Sequence, residues 1–102
     1  MNFRYTNEAI GEVSDILDYI AKDSPTMADK ISQAIEHTID MLRRQPRIAR
    51  IVYHGQVRAF PVEDYPYRIF FQIKSSELVV RNVRHMRQRR PWEENRRLDN
   101  LV

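Results

Sequence analysis

The sequence predicts an α+β domain: an N-terminal strand, then an antiparallel helical hairpin packed on a mostly antiparallel sheet of three to four strands. Two apolar stripes at helical spacing, separated by a short break, predict the hairpin. Segments with alternating apolar and polar residues in the second half predict the sheet. With 102 residues the chain has room for one such domain, and the expected element order is β-α-α-β-β-β.

The first strand and the first helix are predicted at the start of the chain. Residues 2–5 are a short strand candidate because aromatic side chains alternate along them. Thr6 or Asn7 can cap the helix that follows over residues 7–22. The apolar stripe of this helix consists of Ala9, Ile10, Val13, Ile16, Leu17 and Ile20.

A second, longer helix follows the first after a short break. Ser24 is suited to the N-cap and Pro25 to the first helical position, whereas Pro46 stops the helix. Arg43 and Arg44 lie in the last turn, where the helix dipole favours cations. About 20 residues make a helix of roughly 30 Å. Because the connection is short, the two helices are expected to pack antiparallel.

The second half contains the remaining strand candidates. Residues 51–53 are a short edge strand candidate, and residues 57–62 are a further strand that Pro61 assigns to an edge or a bulge. A turn is predicted at residues 63–66. The strongest strand signals belong to a hairpin of residues 67–74 and 78–83, with Ser75 and Ser76 as its turn.

Charge is distributed unevenly along the chain. Residues 1–45 contain five basic and eight acidic residues, a net charge of −3, whereas residues 46–102 contain twelve basic and six acidic residues, a net charge of +6. Nearly all basic residues of the second half are arginines, whose planar forks match phosphate and carboxylate groups. The residues expected to bind an anion or a target are the cluster at the end of the last strand: Arg81, Arg84, Arg87, Arg89 and Arg90.

Composition also excludes several classes of protein. There is no cysteine, so neither a disulfide framework nor a thiolate metal site is expected. No apolar run approaches the roughly 20 residues that span a bilayer, and the N-terminus lacks the apolar region of a signal peptide, so we expect a cytoplasmic protein. The acidic residues of the first helix are not spaced as metal ligands, and the two glycines form no phosphate loop, so no metal and no cofactor are expected.

The ordered set of motifs resembles the RelE/ParE superfamily of toxins from bacterial toxin–antitoxin pairs. The resemblance covers residues 3–90 and rests on FRYTNEAIGEVSDILDYIAKDSP, a second helix ending in LRRQP, VRAFPVEDYPYRIFF and a last strand ending in VRHMRQRR. The helix turn IAKDSP and the spacing from VRAFPV to YRIFF are most similar to the ParE branch, also described as plasmid-stabilisation proteins. Residues 1–90 are then the toxin domain, and residues 91–102 are a tail that forms a short helix from Pro91 or is frayed.

The resemblance implies one of two activities. The ParE branch is associated with poisoning DNA gyrase and has no established catalytic residues, and this is the first hypothesis, with a growth-inhibiting toxin held inactive in a hetero-oligomer with its cognate antitoxin. The RelE branch cuts messenger RNA on the ribosome, and this is the alternative. A third hypothesis is an inert partner that only binds antitoxin. The resemblance does not imply which residues contact the antitoxin.

Only the RelE-like alternative requires catalytic residues. By alignment with the RNA-cutting relatives, Arg68 and His85 match their arginine and histidine, and Arg58 matches another basic position. A histidine could transfer protons near neutral pH, and arginines could hold the phosphate. The set is incomplete, because no glutamate or lysine precedes Arg58 closely and Met86 is not aromatic. His85 could instead be a structural residue that ends the last strand, so we favour a binding poison over an enzyme.

Overall fold

The computed structural model describes residues 1–93. Residues 91–93, at the start of the tail for which a short helix or a frayed segment was predicted, are helical. The rest of the predicted tail, residues 94–102, lies outside the described residues. The helices are α1 (Asn7–Ala21) and α2 (Pro25–Arg44), and the strands are β1 (Asn2–Tyr5), β2 (Arg50–Tyr53), β3 (Val57–Pro61), β4 (Tyr67–Lys74) and β5 (Glu77–His85).

Both long helices begin at the predicted caps. The Thr6 hydroxyl oxygen accepts a hydrogen bond from the backbone N–H of Ala9 at 3.1 Å, and the Ser24 hydroxyl oxygen accepts one from Met27 at 3.1 Å. Each bond satisfies a backbone donor that has no partner within the first helical turn. Local signals in the sequence therefore determine where the helical hairpin starts and turns.

The strands form one sheet in the order β1-β5-β4-β3-β2. β1 runs parallel to β5, and the other neighbouring pairs are antiparallel. The α+β fold class and the N-terminal strand are confirmed. The expectation of three to four strands was too low: the described residues form five, because residues 50–53 pair with β3 as a true edge strand.

Pro61 suggested that β3 is an edge strand or carries a bulge. The edge position was wrong, because β3 lies between β2 and β4. Pro61 is the last residue of β3 and is paired with Arg68 of β4, whereas the pairing with β2 extends only to Ala59. The missing N–H of the proline is therefore tolerated, because it falls beyond the end of β2.

The core lies between α2 and one face of the sheet, which we call the helix-covered face. Ile69 and Phe71 of β4 point to this face, and both are completely buried, as their alternation predicts. Ala9 of α1 is completely buried in the same cluster, and other apolar side chains of α1 pack against it while partly buried. The large apolar side chains of α2 that are buried in this core are Ile31, Ile35, Ile39 and Leu42.

A β-bulge in β5 changes which residues face the core. Phe71 is paired with Val80, but Phe70 is paired with Asn82, so Arg81 is an extra residue in the strand. Val80 and Val83 therefore both belong to the core although they are three residues apart. Beyond the bulge, Asn82 is paired with Phe70 and Arg84 with Arg68, so both lie on the side of the sheet opposite the core.

The opposite side of the sheet is also covered, and we call it the tail-covered face. The chain leaves β5 and returns over this face, where Trp92 stacks on Tyr53 of β2 with ring centroids 4.3 Å apart. The edge of Trp92 also meets Phe70 of β4, at 5.7 Å and nearly perpendicular planes. As a result Phe70 is only 1% exposed, although it points away from the helices.

Candidate functional site

Polar side chains are concentrated on the tail-covered face. Gln72, Asn82 and Arg84 are buried there, each less than 10% exposed. Burying polar groups costs free energy unless each one is hydrogen-bonded, so their partners determine what the face can do. The candidate site is therefore built from these residues and from the arginines around them.

Gln72 connects three elements of this face. Its side-chain amide N–H donates to the backbone oxygen of Gly55 at 2.6 Å, and its Oε1 accepts from Nη1 of Arg81 at 2.9 Å. Gly55 adopts a φ of 71°, and an added Cβ would lie 3.1 Å from the Gln72 amide nitrogen. The turn between β2 and β3 and the bulge in β5 are thereby held together by one side chain.

Glu12 of α1 accepts hydrogen bonds from the part of β5 that β1 does not reach. The pairing of β1 with β5 stops at Val80, and beyond it Glu12 Oε1 accepts from the backbone N–H of Val83 at 3.1 Å. The same oxygen accepts from Asn82 Nδ2 at 3.0 Å, and Oε2 accepts from Nε of Arg84 at 2.7 Å. One carboxylate thus takes the place of a neighbouring strand and also binds a buried cation.

Arg84 departs from its expected role as an exposed anion-binding residue. Its side chain is only 7% exposed, and its guanidinium forms ion pairs with Glu12 at 2.7 Å and Glu8 at 3.4 Å. Its Nη1 also donates to the backbone oxygen of Arg89 at 3.3 Å. The charge of Arg84 is therefore used to join α1, β5 and the returning tail.

The other four arginines of the predicted cluster are exposed. Arg81 and Arg90 each line a cleft of the tail-covered face, and Arg90 is paired with Glu93 at 3.5 Å. Arg87 and Arg89 lie in the segment that follows β5. The structure thus places these four cations along the end of β5 and the tail.

The three residues of the RelE-like alternative are not brought together. Arg58 is paired with Phe71, and His85 with Tyr67, so both belong to the helix-covered side. Arg68 is paired with Pro61 and points to the tail-covered face.

Even the two residues on one side are far apart. The four-residue separation of their partners on β4 corresponds to roughly 13 Å along the strand. A shared phosphate could not reach Arg58, Arg68 and His85 together, so the described geometry does not favour the nuclease.

His85 makes the contacts of a residue that ends a strand. It is the last residue of β5, its Nδ1 accepts from the backbone N–H of Arg87 at 3.0 Å, and its own N–H donates to Gln88 Oε1 at 2.8 Å. Its ring also meets Tyr67 edge to face at 5.4 Å. Burial raises the pKa of the Tyr67 hydroxyl above its ordinary value. These contacts support the structural interpretation of His85.

Two clefts lie on the tail-covered face, one on each side of Trp92. The first has a volume of about 300 Å³ and includes Glu8, His54 and Arg81 in its lining. The second has a volume of about 390 Å³ and is lined by three arginines, of which Arg50 was not recognised from the sequence. Arg50 is the first residue of the four-residue strand β2, and only the pairing of that strand with β3 shows which face the side chain lies on.

Two further searches concern metals and membranes. Within residues 1–93, no group of three or more histidine, aspartate or glutamate side chains is placed to hold a metal ion. In the same part of the chain, neither helix is long and apolar enough to cross a membrane.

The fold is shared with two solved toxin structures. A chain of the chromosomal ParDE toxin–antitoxin system from P. aeruginosa superposes with a TM-score of 0.73 and 23% identity, covering 83% of this chain and 95% of that one. The isolated E. coli RelE toxin superposes with a TM-score of 0.56 and 11% identity, covering 99% and 98%. At these identities the similarity shows the fold alone. No curated protein matches the chain by sequence.

The chain therefore has the same fold as the ParE and RelE toxins. The family model for the ParE toxin of type II toxin–antitoxin systems, parDE, matches residues 3–90. The chain therefore belongs to the ParE toxin family, which confirms the resemblance found in its sequence.

Proposed function

We propose that this chain inhibits growth by poisoning DNA gyrase and is neutralised by a cognate antitoxin. The single observation that carries the choice of target is the separation of the nuclease residues: Arg68 faces away from Arg58 and His85. Membership of the ParE family supports the same choice, because the resemblance to the ParE branch implies gyrase as the target. On this proposal the chain acts by binding and forms no covalent bond with its target.

The exposed arginines are the proposed contact with the target. Arg81, Arg87, Arg89 and Arg90 are exposed and lie along one stretch of chain. Exposed arginines attract anionic surfaces over a distance of about 8–10 Å at moderate salt. Arg84 is left out of this set, because Glu12 and Glu8 already engage its guanidinium.

The antitoxin is proposed to cover an apolar groove and the basic end of the sheet. A groove of about 350 Å³ runs between α2 and β3, with Met41, Phe60 and Pro61 in its lining. An amphipathic helix of the antitoxin fits such a groove through its apolar face. An extended acidic segment after that helix would then pair with the exposed arginines, so salt would weaken the second contact more than the first.

The proposal is tested with purified toxin, DNA gyrase and supercoiled plasmid. We expect trapped cleavage complexes, seen as linear DNA after denaturation of the enzyme, and less of them with the double variant Arg87→Glu/Arg89→Glu. Arg47→Glu is the matched control, because Arg47 is exposed but lies in the turn after α2. If gyrase is unaffected at a large excess of toxin, the proposed target is wrong.

A second experiment separates the proposal from its competitors in cells. Induction of the wild-type chain should arrest growth and produce DNA breaks, and coexpression of the antitoxin should prevent both. Cut transcripts without DNA breaks would indicate a ribonuclease instead. Normal growth on induction would indicate an inert partner of the antitoxin.

A further inference from the structure

The cleft of about 390 Å³ on the tail-covered face combines arginines from three separate parts of the chain. Arg50 comes from β2, Arg68 from β4 and Arg90 from the segment after β5. We call it the arginine pocket. Among the described residues, no carboxylate lines it; Glu93 contacts Arg90 from outside the lining at 3.5 Å. The remaining lining residues are apolar or aromatic and include Phe60, Phe70 and Trp92.

Arg68 has a hydrogen-bond donor without a partner. Its Nε is buried and makes no hydrogen bond to any described residue. The guanidinium lies over the ring of Phe70 at 5.7 Å, and Arg68 stands directly opposite Arg84 in the sheet. A buried charged donor that lacks an acceptor costs free energy. An acceptor with negative charge in the arginine pocket would relieve this cost.

The three arginines can reach one small ligand. Arg50 is paired with Ala59, which is paired with Phe70, so Arg50 lies two strands from β4, roughly 10 Å away. Arg68 lies two residues along β4 from Phe70, roughly 7 Å. Arg90 lies over Trp92 at 5.9 Å from the ring centre. Arginine side chains extending from these positions converge on the cleft between them.

We infer that the arginine pocket binds a phosphate group without cleaving it. A carboxylate offers two oxygens in one plane, whereas a tetrahedral phosphate offers oxygens to forks that approach from three directions. Tyr53 and Arg90 already lie against the ring of Trp92, so the phosphate and not a stacked base is recognised. His85 and Arg58 face the other side of the sheet, which excludes cleavage by these residues. This inference does not depend on gyrase being the target.

Trp92 provides the readout for a binding experiment. It is the only tryptophan of the chain and lines the arginine pocket. Inorganic phosphate, titrated into the purified full chain at ionic strength held constant with sodium chloride, should change the Trp92 emission with a saturating dependence. Arg50→Gln and Arg68→Gln should each weaken binding by about tenfold or more. Arg47→Gln, outside the pocket, should bind as the wild type does.

A thermal melting curve is recorded for each variant to show that it is folded. Arg50 lies exposed on an edge strand, so its variant keeps the experiment decisive if Arg68→Gln does not fold. A 5′-mononucleotide, single-stranded DNA and duplex DNA, compared at equal phosphate concentration, identify the source of the phosphate. The inference is overturned by no saturable response, by an equal response of wild type and pocket variants, or by a hexaglutamate peptide binding where phosphate does not.

Discussion

The two faces of the sheet differ in what covers them and in what they bury. The helix-covered face buries Ile69 and Phe71 under a whole helix, α2, within a cluster of apolar side chains. The tail-covered face buries the polar side chains of Gln72 and Asn82, and Trp92 of the returning tail packs on Tyr53 and Phe70. A surface that is closed by a short segment and lined by cations is suited to binding, whereas the apolar face supplies most of the stability.

The largest effect is expected from opening the helix-covered face. Phe71→Ala removes a fully buried ring from the centre of the core and leaves a cavity. We expect a loss of about 4 kcal/mol in the free energy of unfolding, which is measured by urea denaturation followed by circular dichroism. A loss below about 1 kcal/mol would mean that this face is not the main core.

The next effect concerns the carboxylate that joins α1 to β5. Glu12→Ala removes the shorter of the two ion pairs of Arg84 and the acceptor of the Val83 N–H, and we expect a loss of about 3 kcal/mol in the free energy of unfolding. Glu77→Ala is the control, because its pair with Arg4 is exposed and should contribute under about 1 kcal/mol.

A double variant sharpens this result. Glu12→Leu combined with Arg84→Met removes both charges, so it should be more stable than Glu12→Ala alone. If the double variant is as unstable as Glu12→Ala, the loss of stability comes mainly from the lost hydrogen bond of the Val83 N–H and not from the buried charge.

A smaller effect is expected from opening the tail-covered face. Trp92→Ala removes the stack on Tyr53 and the edge contact with Phe70, and each such pair contributes about 0.5–1.5 kcal/mol. The two pairs together predict a loss of about 2 kcal/mol in the free energy of unfolding, and we expect stronger binding of a hydrophobic dye to the exposed Phe70. If Trp92→Ala loses as much stability as Phe71→Ala, the two faces contribute equally to the stability of the fold, which contradicts the comparison.

The smallest effect is a pH dependence that involves β1. Burial first, and then the carboxylate of Glu36, raises the pKa of the Tyr5 hydroxyl above its ordinary value of 10.0. The neutral form is thus favoured in the folded state, so this stabilisation is present below pH 10 and is lost as the pH rises through the folded pKa. Tyr5→Phe should show a shallower loss of stability between pH 9 and 11, and an identical slope would contradict it.

The sequence predicted those features that depend on local signals. Thr6 and Ser24 cap the helices as expected, and the alternation in β4 correctly placed Ile69 and Phe71 in the core. Proline at the end of β3 misled the prediction, because its effect depends on where the neighbouring strand stops.

The candidate site was harder to predict because its contacts are distant in sequence. Glu12 and Arg84 are 72 residues apart, and nothing local to Arg84 indicates that its charge is already paired. The bulge at Arg81 determines which of the following residues of β5 lie on the tail-covered face. The sequence indicates this bulge only through Val80 and Val83, which are three residues apart where regular alternation would place them two or four apart. Arg58 and Arg68 could be separated only once the strand register was known.

The position of β5 has a consequence for synthesis of the chain. β5 lies between β1 and β4, and Asn2 is paired with Glu77. β1 therefore cannot join the sheet until β5 has been synthesised. The helical hairpin can form while translation continues, but the sheet cannot close until residues 77–85 have left the ribosome. An interrupted chain that lacks β5 would therefore leave β1 and β4 without the strand that joins them.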